Sequence, residues 1–193
     1  MTDDPYSWPG SDCLRNKFGI TDAGKLHVLE ARIVSARDVE LGVNSLPGEY
    51  NLEHLMQFHR ALFGDVYEWA GELRTVNIHK AGSMFAAHQF LSDEMTILLR
   101  RLAQDNWLRG LRRRAFIEKL AYYYGETNAR HPFREGNGRT QRTFLRQMSA
   151  SAGWRLDWSE LRQDDNNRAC TINLSTARTD VLVDVLEPVV SHA

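Results

Sequence analysis

Apolar residues recur at three- and four-residue steps along most of this chain, and strand-like residues gather at only one place. Thr21 is a good N-cap, and behind it Leu26, Leu29, Ile33 and Val34 fall at helical spacing. The Gly and Pro content of "GVNSLPGEY" predicts a loop. A second helix follows over "NLEHLMQFHRALFG", with Asn51 as cap, Leu55, Phe58 and Leu62 on one face and Gly64 as stop. Leu73, Thr75, Val76 and Ile78 then favour strand, and "HKAGS" supplies a turn, so one hairpin is expected here. Helical spacing resumes in "FAAHQFLSDEMTILLRRLAQDNW" and in "RRAFIEKLAYYYGETNAR", where Phe116, Leu120 and Tyr123 or Tyr124 repeat. "GRTQRTFLRQMSASAG" is a further helix ending at Gly153, and weaker helices are expected over 159–168 and 176–187. The pattern predicts an all-α helical bundle with one small β-hairpin, a single domain over 1–193, with residues 1–20 as an irregular arm tied down by Trp8, Leu14, Phe18 and Ile20.

Charge removes some functions from consideration. A net charge of −1 and a pI near 6.7 provide no global field toward nucleic acid or an anionic membrane. The one basic run, "RGLRRR" at Arg109 to Arg114, reads as a solvated face. Cys13 and Cys170 form no C-x-x-C pair, so neither a zinc site nor a disulfide framework is expected and a reducing compartment fits. The acidic N-terminus resembles no signal peptide, and no apolar run has the length of a membrane span. A cytoplasmic protein is expected. His54 and His59, five residues apart, do not share a helix face and read as structural or surface residues.

The chemistry concentrates in "HPFREGNGRTQR", His131 to Arg142. The helix before it must stop near Arg130, because the residue preceding a proline avoids helical angles. His131 is then a proton acceptor with a suitable pKa at a helix end. Phe133 can anchor the loop in the core. Gly136 and Gly138 permit left-handed angles, so successive N–H groups can face one concavity. The helix starting near Arg139 adds the unpaired amides of its first turn. Arg139 and Arg142, three apart, can both reach one anion. Glu135 fits beside an anion if a cation lies between, as when one carboxylate and phosphate oxygens hold Mg²⁺. A base, a metal-binding acid, a phosphate nest and two arginines are equipment for moving a phosphorus-containing group onto a hydroxyl. The stretch is neither a Walker P-loop nor a Rossmann fingerprint.

This stretch resembles the Fic family signature H-P-F-x-[D/E]-G-N-G-R-x-x-R and matches each defined position. "DPYSWPGSDCLRNKFGITD", "HLMQFHRALFGDVYEWAGELRTVNI" and "FLRQMSASAGWRLDWSEL" extend the resemblance over roughly residues 4–165. It implies a Fic fold and a protein adenylyltransferase that moves AMP from ATP to a Ser, Thr or Tyr hydroxyl. It further implies His131 as general base, Glu135 as the Mg²⁺ ligand, and Asn137 with the backbone of Gly136 and Gly138 around the α- and β-phosphates. Arg139 and Arg142 would bind the β- and γ-phosphates. Thr75, Val76, Asn77, Ile78, His79 and Lys80, in a hairpin running to Ser83, would be the flap that adds the target's backbone as a strand. Adenine contacts would come from Trp158, Asn166 or Asn167. Gly138 stands where related kinases carry a lysine, which favours AMP transfer. Transfer of a different phosphate-containing group, or nucleotide binding without turnover, are the alternatives.

Many members of that family are inhibited by a helix bearing [S/T]-x-x-x-E-[G/N]. Ser45 and Glu49 have the spacing here, but Tyr50 replaces the small residue, and Pro47 and Gly48 oppose a helix. The expectation is a separate small antitoxin chain carrying the inhibitory helix, with this chain as the toxin of the pair. By the resemblance, a bacterial type II topoisomerase is the candidate target. Direct nucleic-acid binding and membrane association are not expected.

Overall fold

The structure is a computed structural model and describes residues 4–80 and 83–193. Seven α-helices lie among them: α1 Ala23–Val43, α2 Leu52–Phe63, α3 Leu91–Gln104, α4 Arg113–Arg130, α5 Asn137–Ser151, α6 Gln163–Thr176 and α7 Asp180–Leu186. The strands are short: β1 His79–Lys80 pairs antiparallel with β2 Ser83–Met84, and β3 Trp154–Leu156 with β4 Val190–His192.

The middle of the fold is α4. Phe116, Ile117, Leu120, Ala121, Tyr123, Tyr124 and Gly125 are all buried. They cover more than one face, so neighbours must pack on several sides. α6 and α7 can come close because Gly125 carries no side chain. A Cβ there would lie 2.5 Å from Asn173 Oδ1 and 2.8 Å from Leu182 Cδ1. Phe144, Leu145 and Met148 of α5 join this core, as do Leu55 and Phe58 of α2. A second cluster lies under the arm and α1, where Leu26 and Val34 meet Leu62, Phe63, Val66 and Tyr67. The loop between α4 and α5 lies where the two clusters meet, with Phe133 in the first and the Phe63 ring of the second beneath Gly136.

The helical periodicity places the long elements, with differences at the ends. Asn51 caps α2 as expected, accepting from His54 N–H at 2.9 Å. Asp22, not Thr21, caps α1, accepting from Lys25 N–H at 2.8 Å. α6 is displaced from the expected 159–168, because it buries only Ala169 and its apolar pattern is too sparse to mark its ends, whereas α7 lies within the expected 176–187. The strand expected from Leu73 is also corrected: 73–78 is irregular, and among the described residues of this segment only His79–Lys80 and Ser83–Met84 pair, with His79 opposite Met84. Tertiary contacts overrule β-propensity there, since Leu73 packs on the main core, Val76 on the second cluster, and Arg74 is buried between them. The β3–β4 pair was not expected, and it forms because Trp154 is stacked between Phe116 and His192. The segment "SLPGEY" is a loop, as its Pro and Gly require, held by His54 Nε2 and Gln147 Nε2 on the Leu46 carbonyl.

The arm is irregular, with one bridge between Ser7 and Leu14. Trp8, Leu14 and Ile20 tie it down, whereas Phe18 is exposed. Its pivot is Asn16. The amide donates to the Leu14 and Ile20 carbonyls at 2.9 and 2.7 Å and accepts from the Phe18 and Ile20 amides at 3.1 Å. We expect Asn16→Asp, which sets a carboxylate against two carbonyls, to cost about 2 kcal/mol of stability in urea titration; a midpoint equal to wild type would contradict this.

Candidate active site

α4 ends at Arg130, and His131 follows as its C-cap in the left-handed region, with φ 47°. Its amide still reaches the Thr127 carbonyl at 3.0 Å. The left-handed step turns the chain out of the helix axis ahead of Pro132, as the sequence required. His131 is half-buried, its ring stacked on Phe85 with centroids 3.9 Å apart. Nδ1 lies 3.2 Å from the Asn128 carbonyl oxygen. A carbonyl can only accept, so Nδ1 carries the proton and the neutral ring has its lone pair on Nε2. One tautomer of the His131 ring is therefore selected by the last turn of its own helix.

Most polar groups of the loop's backbone have a specified partner. The His131 carbonyl takes Arg74 Nε–H at 2.8 Å, and the Pro132 carbonyl takes the Arg74 amide at 2.9 Å. The Phe133 amide donates to Asn137 Oδ1 at 2.8 Å, and the Phe133 carbonyl accepts from Asn137 Nδ2 at 2.7 Å. The Glu135 carbonyl meets His59 Nε2 at 3.1 Å. His59 Nδ1 accepts from the Gly71 amide at 2.8 Å, so Nε2 is the donor. The His59 ring also lies flat on Phe133, with centroids 3.9 Å apart and planes 8° apart. His54 and His59 are thus both structural and both buried; neither is a surface residue.

Two expectations within the motif change. Of the two glycines only Gly136 is left-handed, with φ 78°, while Gly138 has ordinary helical geometry. A side chain at Gly136 would run into the Phe63 ring. A Cβ at Gly138 would come within 3.2 Å of Arg142 Nη1, so a larger residue there would displace that guanidinium. The Asn137 side chain, spent on Phe133, is not available to phosphate; its backbone amide is. The amides of Asn137, Gly138 and Arg139 precede the first bond of α5, from Thr140 N–H to Gly136 O at 3.0 Å. They form the positive end of the helix, and no acid lies in its first turn.

The two arginines diverge. Arg139 Nη2 pairs with Glu30 at 2.6 Å and with Glu135 at 3.3 Å, and its Cζ is 4.7 Å above the Phe63 ring. Glu30, on α1, is 4% exposed and also accepts from the Tyr67 hydroxyl. Burial and the Glu30 carboxylate push the Tyr67 phenol up, so it remains a donor. Arg142 turns the other way, toward α4 and α6. Its carbonyl accepts from Trp158 Nε1 at 3.0 Å, and its guanidinium lies at the Tyr124 hydroxyl, which donates to Asn166 at 2.8 Å. No carboxylate pairs with Arg142 among the described residues. Trp158 and Asn166 are thus brought to the site, whereas Asn167 is on the exposed face of α6.

Glu135 is the only motif carboxylate. Its Oε1 accepts from the Gly136 amide at 2.8 Å as well as from Arg139. No cluster of three or more His, Cys, Asp or Glu able to hold a metal occurs among the described residues. A single half-exposed carboxylate beside the open amides of α5 fits Mg²⁺, which commonly takes one or two carboxylates and completes its shell with phosphate and water. Beside the site, β1 and β2 form the hairpin, and Asn77 Oδ1 holds His88 at its base. Ala81 and Gly82 of the expected flap lie outside the described residues. The arm touches the site twice, through Asp4 on Arg134 and through the Tyr6 hydroxyl, which accepts from the Thr75 amide at 3.0 Å.

Sequence reading missed Glu30, Arg74, Phe85 and Tyr124. Glu30 had a signal, an acid inside the apolar stripe Leu26–Glu30–Val34. Arg74 had a weaker one, a cation inside a strand-like run.

The Fic/DOC family profile matches residues 49–149. Protein adenylyltransferase VbhT of Bartonella schoenbuchensis is 40% identical over 168 residues, which is 87% of this chain and 35% of that protein. The chain therefore spans about a third of the length of VbhT. A protein of Escherichia coli K12 described as "Probable protein adenylyltransferase Fic" is 36% identical over 98% of this chain and 94% of its own length. Among solved structures, BepC of Bartonella tribocorum with bound AMPPNP superposes with a TM-score of 0.93 at 27% identity, covering 97% of each chain.

Burial lowers the His59 pKa to about 4 from its ordinary 6.5, so the folded protein refuses a proton that the unfolded chain accepts between those values. Stability should accordingly fall as pH drops below 6.5, by about 2 kcal/mol at pH 5. Urea titrations without nucleotide or divalent cation check this: His59→Gln should show a shallower acid-side slope, and an unchanged slope would remove His59 as the cause.

Proposed function

The chain belongs to the Fic/DOC family, alongside protein adenylyltransferases, and on that premise we propose that it transfers AMP from ATP to a Ser, Thr or Tyr hydroxyl of a target protein. The observation that carries this is the tautomer of His131: its Nδ1 proton is committed to Asn128, so Nε2 is the acceptor, beside the amide-lined start of α5. The target hydroxyl oxygen forms a bond to the α-phosphorus, the bond from that phosphorus to the α–β bridging oxygen breaks, and pyrophosphate leaves. The hydroxyl proton passes to Nε2. The amides of Asn137, Gly138 and Arg139 stabilise the phosphate charge, helped by the Arg142 guanidinium. Arg139 reaches the phosphates only by sharing its charge with Glu30. Glu135 would hold Mg²⁺, which supplies charge neutralisation along the phosphate chain. Trp158 and Asn166 wall the side of the site next to Arg142 and are the adenine-side candidates.

The β1–β2 hairpin is the target-binding edge in this reading, with two-residue strands that a third strand can extend. Regulation by a separate antitoxin helix is supported by two observations. The Ser45–Glu49 segment is an exposed loop, and Arg142 has no carboxylate partner among the described residues. A glutamate supplied in trans would pair with Arg142 and displace the γ-phosphate. The toxin role, a type II topoisomerase as target and a cytoplasmic site of action belong to the same proposal. No helix among the described residues is long and apolar enough to cross a membrane.

Incubating the protein and Mg²⁺ with bacterial lysate and ATP labelled at the α-phosphorus, followed by intact mass spectrometry, should reveal a target carrying one AMP. His131→Ala should abolish that transfer and leave ATP affinity within about threefold, because the base acts on the hydroxyl rather than the nucleotide. Transfer by His131→Ala at the wild-type rate would refute the assignment.

A further inference from the structure

Arg74 is 2% exposed, and its side chain bonds to no carboxylate among the described residues; its hydrogen bonds all go to main-chain carbonyls. Nε donates to His131 O at 2.8 Å, Nη2 to Arg130 O at 3.1 Å and to Ala86 O at 2.5 Å, and Nη1 to Val76 O at 2.7 Å. These four oxygens belong to three separate pieces of chain: the end of α4, the irregular segment entering the hairpin and the segment leaving it. The Arg74 amide adds the Pro132 carbonyl.

The first two carbonyls need this donor. The left-handed turn at His131 ends α4, and the carbonyls of a last turn have no intrahelical partner. The other two fix the stem of the hairpin on both sides. Ala86 is held a second time, its amide donating to Ala129 O at 3.1 Å, and its neighbour Phe85 is the ring that stacks on His131. One planar, rigid group thus sets the backbone under the imidazole, the ring that packs its face and the base of the hairpin.

We propose that Arg74 is the positioning residue that sets the distance between the His131 base and the hairpin edge that presents the target hydroxyl. The proposal rests on the roles given above to His131 and to the hairpin. Arg74 touches neither nucleotide nor target. Its contribution is to hold Nε2 in line with a hydroxyl delivered along the hairpin. A shift of about 1 Å in such a geometry costs on the order of a hundredfold in rate. Lysine cannot replace it, because one ammonium on a flexible stem cannot span four carbonyls on three segments. The nucleotide end of the site is built on α5, His59 and Asn137, none of which Arg74 holds, so ATP binding should be spared.

The test compares Arg74→Lys and Arg74→Met with wild type by three measurements. ATP affinity by calorimetry should stay within about threefold. Transfer of α-labelled AMP to lysate protein should fall about a hundredfold. Nitrogen-15 NMR of the histidine rings should show His131, assigned with His131→Ala, losing its fixed Nδ1–H tautomer. Loss of ATP binding in proportion to transfer, in both variants, would reduce Arg74 to a folding residue and overturn the proposal. So would a wild-type His131 ring signal or wild-type transfer in Arg74→Lys. Should the wild-type protein transfer no AMP, the functional reading falls, and the ring signal still decides whether Arg74 holds His131.

Discussion

The loop from His131 to Gly136 must hold a fixed backbone without regular hydrogen bonding. It is buried enough that unpaired amides and carbonyls would each cost on the order of 1–3 kcal/mol. The protein meets that constraint with side chains from distant parts of the chain. Arg74 takes one carbonyl by its side chain and another by its amide, Asn137 takes both polar groups of Phe133, and His59 takes the Glu135 carbonyl. The placement of the His131 ring follows from the Arg74 bonds, and the left-handed glycine and the open end of α5 follow from those of Asn137 and His59.

Charge is partitioned across the same loop. Three of the cations near it, Arg74, Arg139 and Arg142, are each treated differently. Arg74 is buried against carbonyl dipoles, and Arg139 is balanced by Glu30 and Glu135. Arg142 has a phenol at its guanidinium and no acid among the described residues. The positive end of α5 and Arg142 therefore define where an anion is most stabilised, on the α4–α6 side of the loop rather than on the α1 side. Glu30 has a second effect. A carboxylate 4% exposed needs both its partners, the Arg139 guanidinium and the Tyr67 hydroxyl, so α1 is locked to the start of α5 by an ion pair that is costly to half-break.

The arm and the hairpin connect to the loop from outside. Asp4 meets Arg134 and Tyr6 meets Thr75, so the arm reaches both the motif and the entry to the hairpin. The expected strand from Leu73 to Ile78 instead became an irregular tether, because burying Arg74 and packing Leu73 and Val76 on different clusters demands a path that alternation does not describe. The short β3–β4 pair escaped sequence reading for a related reason: it joins residues far apart in the chain, and three residues a side carry no periodic signal.

The positions of the helices up to α5, the stop before Pro132 and the gathering of His131, Glu135, Gly136, Arg139 and Arg142 at a loop-to-helix junction were all legible in the sequence. They depend on neighbours within a turn or two, where spacing dictates which way a side chain points. The tertiary structure alone decided what each of those residues is free to do. It spent the Asn137 side chain on Phe133, turned Arg139 to a glutamate 109 positions earlier and put Arg74 under the His131 ring. Those outcomes depend on which carbonyls and charges are left unsatisfied once the helices have packed, and local order in the chain does not contain that information.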